Sequence, residues 1–174
     1  MPVSLDMDEL HLKYKGIFNL GGVLSIVTDW LETRGYEVII KKVKHKTKTF
    51  GFEDEYEIRG WRDETDYHRI YIDFYMHMWD ANEVDVLIEG QKKRLMKARL
   101  YMSIQGKIET DPSGRFDTSM FSKALRKFMY DKVIHHKYES VWGDKLQYKM
   151  HEIYGHIKEY LDMQSKGMYF KNMW

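Results

Sequence analysis

The feature that most constrains this chain is a run of strict alternation from Tyr67 to Trp79. Its even positions are His68, Ile70, Ile72, Phe74, Met76 and Met78; its odd positions are Tyr67, Arg69, Tyr71, Asp73, Tyr75, His77 and Trp79. A strand turns successive side chains to opposite faces, so the run predicts a long strand with one apolar and one polar-aromatic face. Asp80-Ala81-Asn82 predicts a bend or bulge, after which Val84, Val86 and Ile88 continue the alternation to a turn at Gly90-Gln91. The return strand, Arg94–Glu109, predicts burial of Met96, Ala98, Leu100, Met102, Ile104 and Ile108, with Lys97, Arg99, Tyr101, Ser103, Gln105 and Lys107 on its other face.

The preceding segments fit the same sheet. Tyr36–Lys48 and Phe52–Arg62 alternate around a turn holding Thr49 and Gly51. The first carries Lys41, Lys42, Lys44, Lys46 and Lys48; the second carries Glu53, Asp54, Glu55 and Glu57. Opposite charges across strands are favourable and like charges are not, so the two predict an antiparallel hairpin. Further upstream, Glu9–Phe18 reads as a strand with Leu10, Leu12 and Tyr14 on one side and His11, Lys13 and Lys15 on the other. Asn19 offers a side-chain oxygen for a helix N-terminus. The helix it opens runs to about Arg34, with Leu20, Val23, Leu24, Val27, Trp30 and Leu31 as its buried stripe and Gly35 as its stop.

The periodicity changes once, near Asp111-Pro112-Ser113-Gly114. Beyond it, Asp117 or Ser119 opens a helix carrying Phe121, Ala124, Leu125 and Phe128, with a break after Val133. Gly143-Asp144 reads as a stop and a new start, and Asp144 and Gln147 have capping-box spacing. Leu146, Met150, Ile153, Ile157, Tyr160 and Leu161 line the last helix, which Gly167 ends. The expected order is β-α-β-β-β-β-α-α. That is an α+β fold with a single antiparallel sheet and helices packed on one face. The expected organisation is a single domain over 1–174: strand, helix and meander through 111, helices over 115–165, and an aromatic and Met-rich tail over 166–174. By element order the plan resembles the helix-grip or TATA-binding-protein-like topology. Phrases along the chain resemble small uncharacterised archaeal proteins of the same plan. They are Tyr14-Lys15-Gly16-Ile17-Phe18, Asp29-Trp30-Leu31, Arg34-Gly35-Tyr36, Asp85-Val86, Gly90-Gln91-Lys92, Ile104-Gln105-Gly106-Lys107 and Tyr130-Asp131-Lys132. That resemblance implies a fold and no activity or site residue.

Composition narrows the function classes. Over 174 residues, Lys+Arg is 28 against Asp+Glu 27, so a strongly basic nucleic-acid binder is excluded. A hydrophobic fraction of 43% excludes disorder by composition. Cys is absent, which removes disulfides, thiol catalysis and thiolate metal sites. No basic-then-apolar leader and no membrane-length apolar run are present, so a cytoplasmic protein without a transmembrane segment is expected. Tyr 13, Phe 8, Trp 5 and Met 12 form the one compositional excess.

Catalytic signatures are missing. There is no GxGxxG, no GxxxxGK[ST] and no GxSxG. Gly21-Gly22 lacks the Lys-Ser/Thr partner of a phosphate loop and reads as close packing. Asp131, His135 and Glu139, and likewise Glu152, His156 and Glu159, share helical faces, but without HExxH these read as solvated surface. Asp73 and His77 beside Tyr75 suit acid–base chemistry only inside a closed pocket. No catalytic, cofactor-binding or metal-binding residue is therefore assigned, and an enzyme is not expected.

The candidate binding residues are Tyr67, Arg69, Tyr71, Asp73, Tyr75, His77 and Trp79, with Arg99 and Tyr101 on the return strand and Tyr169, Phe170 and Trp174 in the tail. Tyr, Trp and Arg are the residues enriched at interface hot spots. The leading expectation is a non-enzymatic binding or assembly protein that uses this face or the tail for a protein partner or self-association. One alternative is a carrier of a small apolar ligand between sheet and last helix, lined by Ile72, Phe74, Met76, Leu100 and Met102. A small enzyme and an RNA-binding module are the others; the near-zero net charge weighs against nucleic acid.

Overall fold

The computed structural model describes residues 4–65, 68–88, 90–110 and 142–163. Tyr67, the helix expected from Asp117 or Ser119, the Asp131/His135/Glu139 face, Gly167 and the tail with Tyr169, Phe170 and Trp174 lie outside them. The elements are β1 (Ser4–Asp6), β2 (Leu10–Phe18), α1 (Leu20–Thr33), β3 (Glu37–Lys48), β4 (Gly51–Thr65), β5 (His68–Ile88), β6 (Gln91–Thr110) and α2 (Asp144–Tyr160). The result is an α+β fold with one antiparallel sheet.

β3 to β6 form the expected meander, and β2 returns to pair with β6 from Leu10↔Ile104 to Phe18↔Met96. β1 was not anticipated. It extends the β2 edge, pairing Ser4↔Glu109 to Asp6↔Lys107, so the sheet is five strands wide with β1 and β2 end to end along β6. Three residues are too few to show a period. α1 carries the chain from β2 at one edge to β3 at the other. Fourteen helical residues rise about 21 Å, close to the roughly 19 Å spanned by four inter-strand spacings.

The apolar face of β5 is the core. Ile70, Ile72, Phe74, Met76 and Met78 are 0–3% exposed, and Ala98, Leu100, Met102, Ile104 and Ile108 of β6 lie beside them. Both helices seat here. Gly60, Ile72 and Gly106 stand in one cross-strand row. A β-carbon on Gly60 would meet Leu31 of α1 at 2.8 Å, and one on Gly106 would meet Met150 at 2.6 Å and Leu146 at 3.0 Å of α2. The glycines are the seats into which the helices press, on either side of Ile72. None of the described helices is long and apolar enough to cross a membrane.

Register shifts in β3 and β5 reset the faces, and a third lies in β4 between Asp63↔Arg69 and Thr65↔His68. In β3 the register shifts between Lys42↔Tyr56 and Lys44↔Glu55, so Val43 is an extra residue. Simple alternation would set Lys42, Lys44 and Lys46 on one side. The bulge instead leaves Lys42 with the apolar face and turns Lys44 and Lys46 to the opposite face with Lys41, across from Glu55, Glu53 and Glu57. In β5 the register shifts between Trp79↔Arg99 and Asn82↔Lys97, with Asp80 at φ 52. Beyond it Val84 pairs with Leu95 and Val86 with Lys93, so they leave the face of Met76 and Met78. The expectation that they continue the core alternation is therefore corrected.

Other local corrections concern the caps. Asn19 stands at the N-cap of α1 with extended backbone, but its side chain makes no cap hydrogen bond. Its carbonyl accepts the Val23 N–H at 3.1 Å. Asp144 is the first residue of α2 after Gly143, so the Asp144/Gln147 capping box does not form. Tyr160 is 41% exposed, whereas Leu146, Met150, Ile153, Ile157 and Leu161 are buried as anticipated. Gly35 ends α1 at φ 74, in the left-handed region that its missing side chain permits.

Candidate functional site: the polar face of the sheet

Directly opposed residues in antiparallel strands share a face, so the registers lay out the polar side as rows. One row reads Ile39, Arg59, Asp73, Gln105; the next reads Lys41, Glu57, Tyr75, Ser103, His11; the next reads Lys44, Glu55, His77, Tyr101, Lys13. Trp79, Arg99 and Lys15 follow. The structure thus gathers Tyr71, Asp73, Tyr75, His77, Trp79, Arg99 and Tyr101 on one face, with Arg69 at its end.

The aromatic groups form a connected band. Tyr75 and Tyr101 meet edge-on at 6.4 Å, and Tyr101 stacks on His11 at 6.0 Å. The His77 and Trp79 rings are 3.8 Å apart, and Arg99 lies 6.0 Å over Trp79. Burial on the sheet raises the Tyr71 and Tyr75 phenol pKa values, so both remain hydrogen-bond donors at neutral pH.

Several of the charges are already paired. Arg59 grips both oxygens of Asp73 at 2.7 and 2.8 Å. Arg69 does the same to Asp63 at 2.5 and 2.9 Å, and that hydrogen bonding holds the Asp63 pKa down. Arg99 donates to Asp80 at 2.8 Å. Asp73 and His77 do not converge: they stand in different rows, Asp73 is held by Arg59, and His77 Nε2 lies 2.8 Å from Glu53.

Sequence reading missed the deepest part of this face. Glu53 is 6% exposed and is met by Lys48, by His77, and by Lys44 at 3.3 Å. A buried carboxylate stays charged only when compensated. The Lys48 hydrogen bond and then that of His77 bring the Glu53 pKa down to about 2. Lys44 also donates to Glu55 at 2.7 Å, which lowers the Glu55 pKa. Glu53, Glu55 and His77 have donor atoms within 4.8 Å of one another and so have the spacing to hold a metal ion, but Lys44 and Lys48 already neutralise these carboxylates. The visible signal was the Lys/Glu complementarity; what it lacked was the bulge. On α2, Glu152 is held by Arg34, and His156 lies 3.8 Å from it.

A hollow of about 640 Å³ crosses the face. Its floor and walls include Tyr75, Tyr101, Ser103, Gln105, Asp73, Arg59, Glu57, Lys41 and Ile39. Ser103 at its centre is 6% exposed, where alternation alone predicted an open polar residue, because aromatic neighbours crowd over it.

No family model matches the chain, and no curated protein matches it. Among solved structures, an uncharacterised protein from Rhizobium leguminosarum is similar over 94% of this chain and 99% of its own, at 8% identity and a TM-score of 0.23, a level at which the likeness carries no argument.

Proposed function

We propose that this is a non-enzymatic binding protein whose recognition surface is the polar face of the sheet, engaging a protein partner or a second copy of the chain. The observation that carries the reading is the hollow of about 640 Å³ with Tyr75 and Tyr101 beside the Arg59–Asp73 ion pair. Tyr side chains give large contact area at low entropic cost, and a paired polar rim excludes water around them. Pairing of Asp73 with Arg59 and of His77 with Glu53 argues against catalysis. Ile72, Phe74, Met76, Leu100 and Met102 are 0–2% exposed within the core, so a ligand cavity there gains no support. We read the architecture as helix-grip-like, because α1 and α2 both seat on one face of the sheet, and we read the chain as one cytoplasmic domain.

The test combines light scattering after size-exclusion with photo-crosslinking from positions 75 and 101. Self-association or a discrete crosslinked partner, lost in Tyr101→Arg, is the expected result. A monomer at all concentrations with no crosslink from either position rejects the reading.

A further inference from the structure

Away from the polar face, the end of α1, the start of β3, the far end of β4 and the middle of α2 build a second polar corner. Trp30 and Tyr36 are 6% and 4% exposed, and their rings stack at 6.5 Å. The Arg34 guanidinium lies 4.2 Å over Trp30, and that of Arg62 lies 5.0 Å over Tyr36. Both guanidinium groups are partly engaged. Arg34 donates to the Trp30 carbonyl at 3.4 Å and to Glu152; Arg62 donates to the Arg34 carbonyl at 2.6 Å and to Glu64.

What remains in this corner is donors. The Tyr36 hydroxyl and the Trp30 indole N–H are buried without a hydrogen-bond partner. Burial pushes the Tyr36 phenol up to about 12, so it keeps its proton. Lys149 of α2 is half-buried and pairs with no carboxylate among the described residues. Burial and then the neighbouring Arg62 charge lower its pKa, and Arg34 and Lys145 add to that while Glu64 alone opposes. Four cations (Arg34, Arg62, Lys145 and Lys149) face two carboxylates (Glu64 and Glu152), an excess of two positive charges. Unsatisfied buried donors are rare in folded proteins and call for an acceptor.

We propose that this corner binds a phosphoryl group, with Lys149 and the Tyr36 hydroxyl as direct ligands and Arg34 and Arg62 supplying the surrounding field. A phosphate dianion matches the excess charge, and its tetrahedral oxygens accept from donors that diverge from one another. The group comes either as free phosphate or as a small phosphomonoester; both present the same oxygens. The site shares no residue with the polar face, so the two proposals stand or fall separately.

The test measures thermal unfolding and the indole N–H spectrum during titration with inorganic phosphate or glycerol phosphate, against sodium chloride at matched ionic strength. The parent protein is expected to gain melting temperature with the logarithm of phosphate concentration, as ligand linkage requires. The Trp30 indole signal, assigned by Trp30→Phe, is expected to move with it. Tyr36→Phe removes a hydroxyl left unsatisfied in the free protein, and Lys149→Met removes a half-buried charge that has no carboxylate partner among the described residues. Both variants are therefore expected to be at least as stable as the parent without phosphate, and to bind it at least tenfold more weakly. Lys149→Arg is expected to retain binding. Tighter binding of glycerol phosphate assigns the natural group to an ester; equal binding assigns it to free phosphate. A response no larger than that to chloride, or one unchanged in Lys149→Met, overturns the proposal.

Discussion

Replacing Gly60 by Ala probes the seat on which the fold depends. The added carbon would stand 2.8 and 3.0 Å from the two methyls of Leu31 and 3.4 Å from its Cγ. Ordinary carbon contacts lie at about 3.5–4.0 Å, and Leu31 is 0% exposed, so it has no open space to enter. Overpacking of this kind costs about 1–3 kcal/mol, offset by roughly 0.5–1 kcal/mol from removing a glycine from a strand. The net expectation is a loss of about 0–2.5 kcal/mol, centred near 1 kcal/mol, or a melting point lower by about 2–4 °C at that centre for a chain of this size. Gly21→Ala is the internal control. Its β-carbon meets only the Asn19 side chain, at 3.4 Å, so helix propensity predicts a gain of up to about 1 kcal/mol. Adding Leu31→Val to Gly60→Ala is expected to recover at least about 0.5 kcal/mol relative to the sum of the single costs. Urea titration followed by circular dichroism reads all five proteins: the parent, the three single variants and the double. A stabilising Gly60→Ala, or the absence of any coupling between Gly60→Ala and Leu31→Val, with Gly21→Ala behaving as stated, would falsify the helix-on-glycine contact.

Three further outcomes are expected. The pKa of Glu53 is depressed from 4.5 to about 2, so its stabilisation is full above the unfolded value and is lost as pH falls from about 4.5 toward 2. Acid unfolding followed by tryptophan fluorescence should show this, and Lys48→Met should shift the midpoint upward. Deleting Val43 removes the surplus residue and leaves Lys44 and Lys46 opposite Glu55 and Glu53 in plain alternation, so a change of about 1 kcal/mol or less is expected in denaturant titration, against a loss of several kcal/mol or failure to fold when one residue is inserted after Lys44. Asp54 is 2% exposed and meets Lys42 at 2.9 Å and His45 at 2.5 Å; Asp54→Ala removes the partner of both side chains, and because they retain access to water the expected cost is about 1–3 kcal/mol by thermal melt.

The parts of the fold written in local periodicity were legible. Alternation over Tyr67–Trp79 located the long strand and separated its faces, and the lysine and glutamate runs gave the β3–β4 hairpin. Phase was not legible. Lys42, Lys44, Lys46 and Lys48 read as one continuous alternation, and nothing in that spacing marks Val43 as the surplus residue. Asp80-Ala81-Asn82 marks a bend, but whether a bend preserves or inverts the following faces depends on residue count across three strands. The polar face was therefore recognised in its β5 and β6 members, while its buried Glu53 was read only as half of a charge ladder. The second corner was out of reach for another reason. Arg34 and Tyr36 lie in the α1–β3 connection, Arg62 in β4 and Lys149 in α2, and only tertiary packing places the three segments together.

β6 has an uneven history written into its pairings. On one side it joins β5 through the tight turn at Gly90, a contact between near neighbours in the chain. On the other it receives β2, where Leu10 meets Ile104 across more than half of the sequence. Closing a long loop is entropically unfavourable and slow compared with zipping a hairpin. The meander is therefore expected to form before β2 arrives, with one flank of β6 unpaired until the N-terminal strand docks. Until then that flank is an exposed template, so a chain shortened at its beginning would be released as a sticky intermediate rather than as a smaller folded protein.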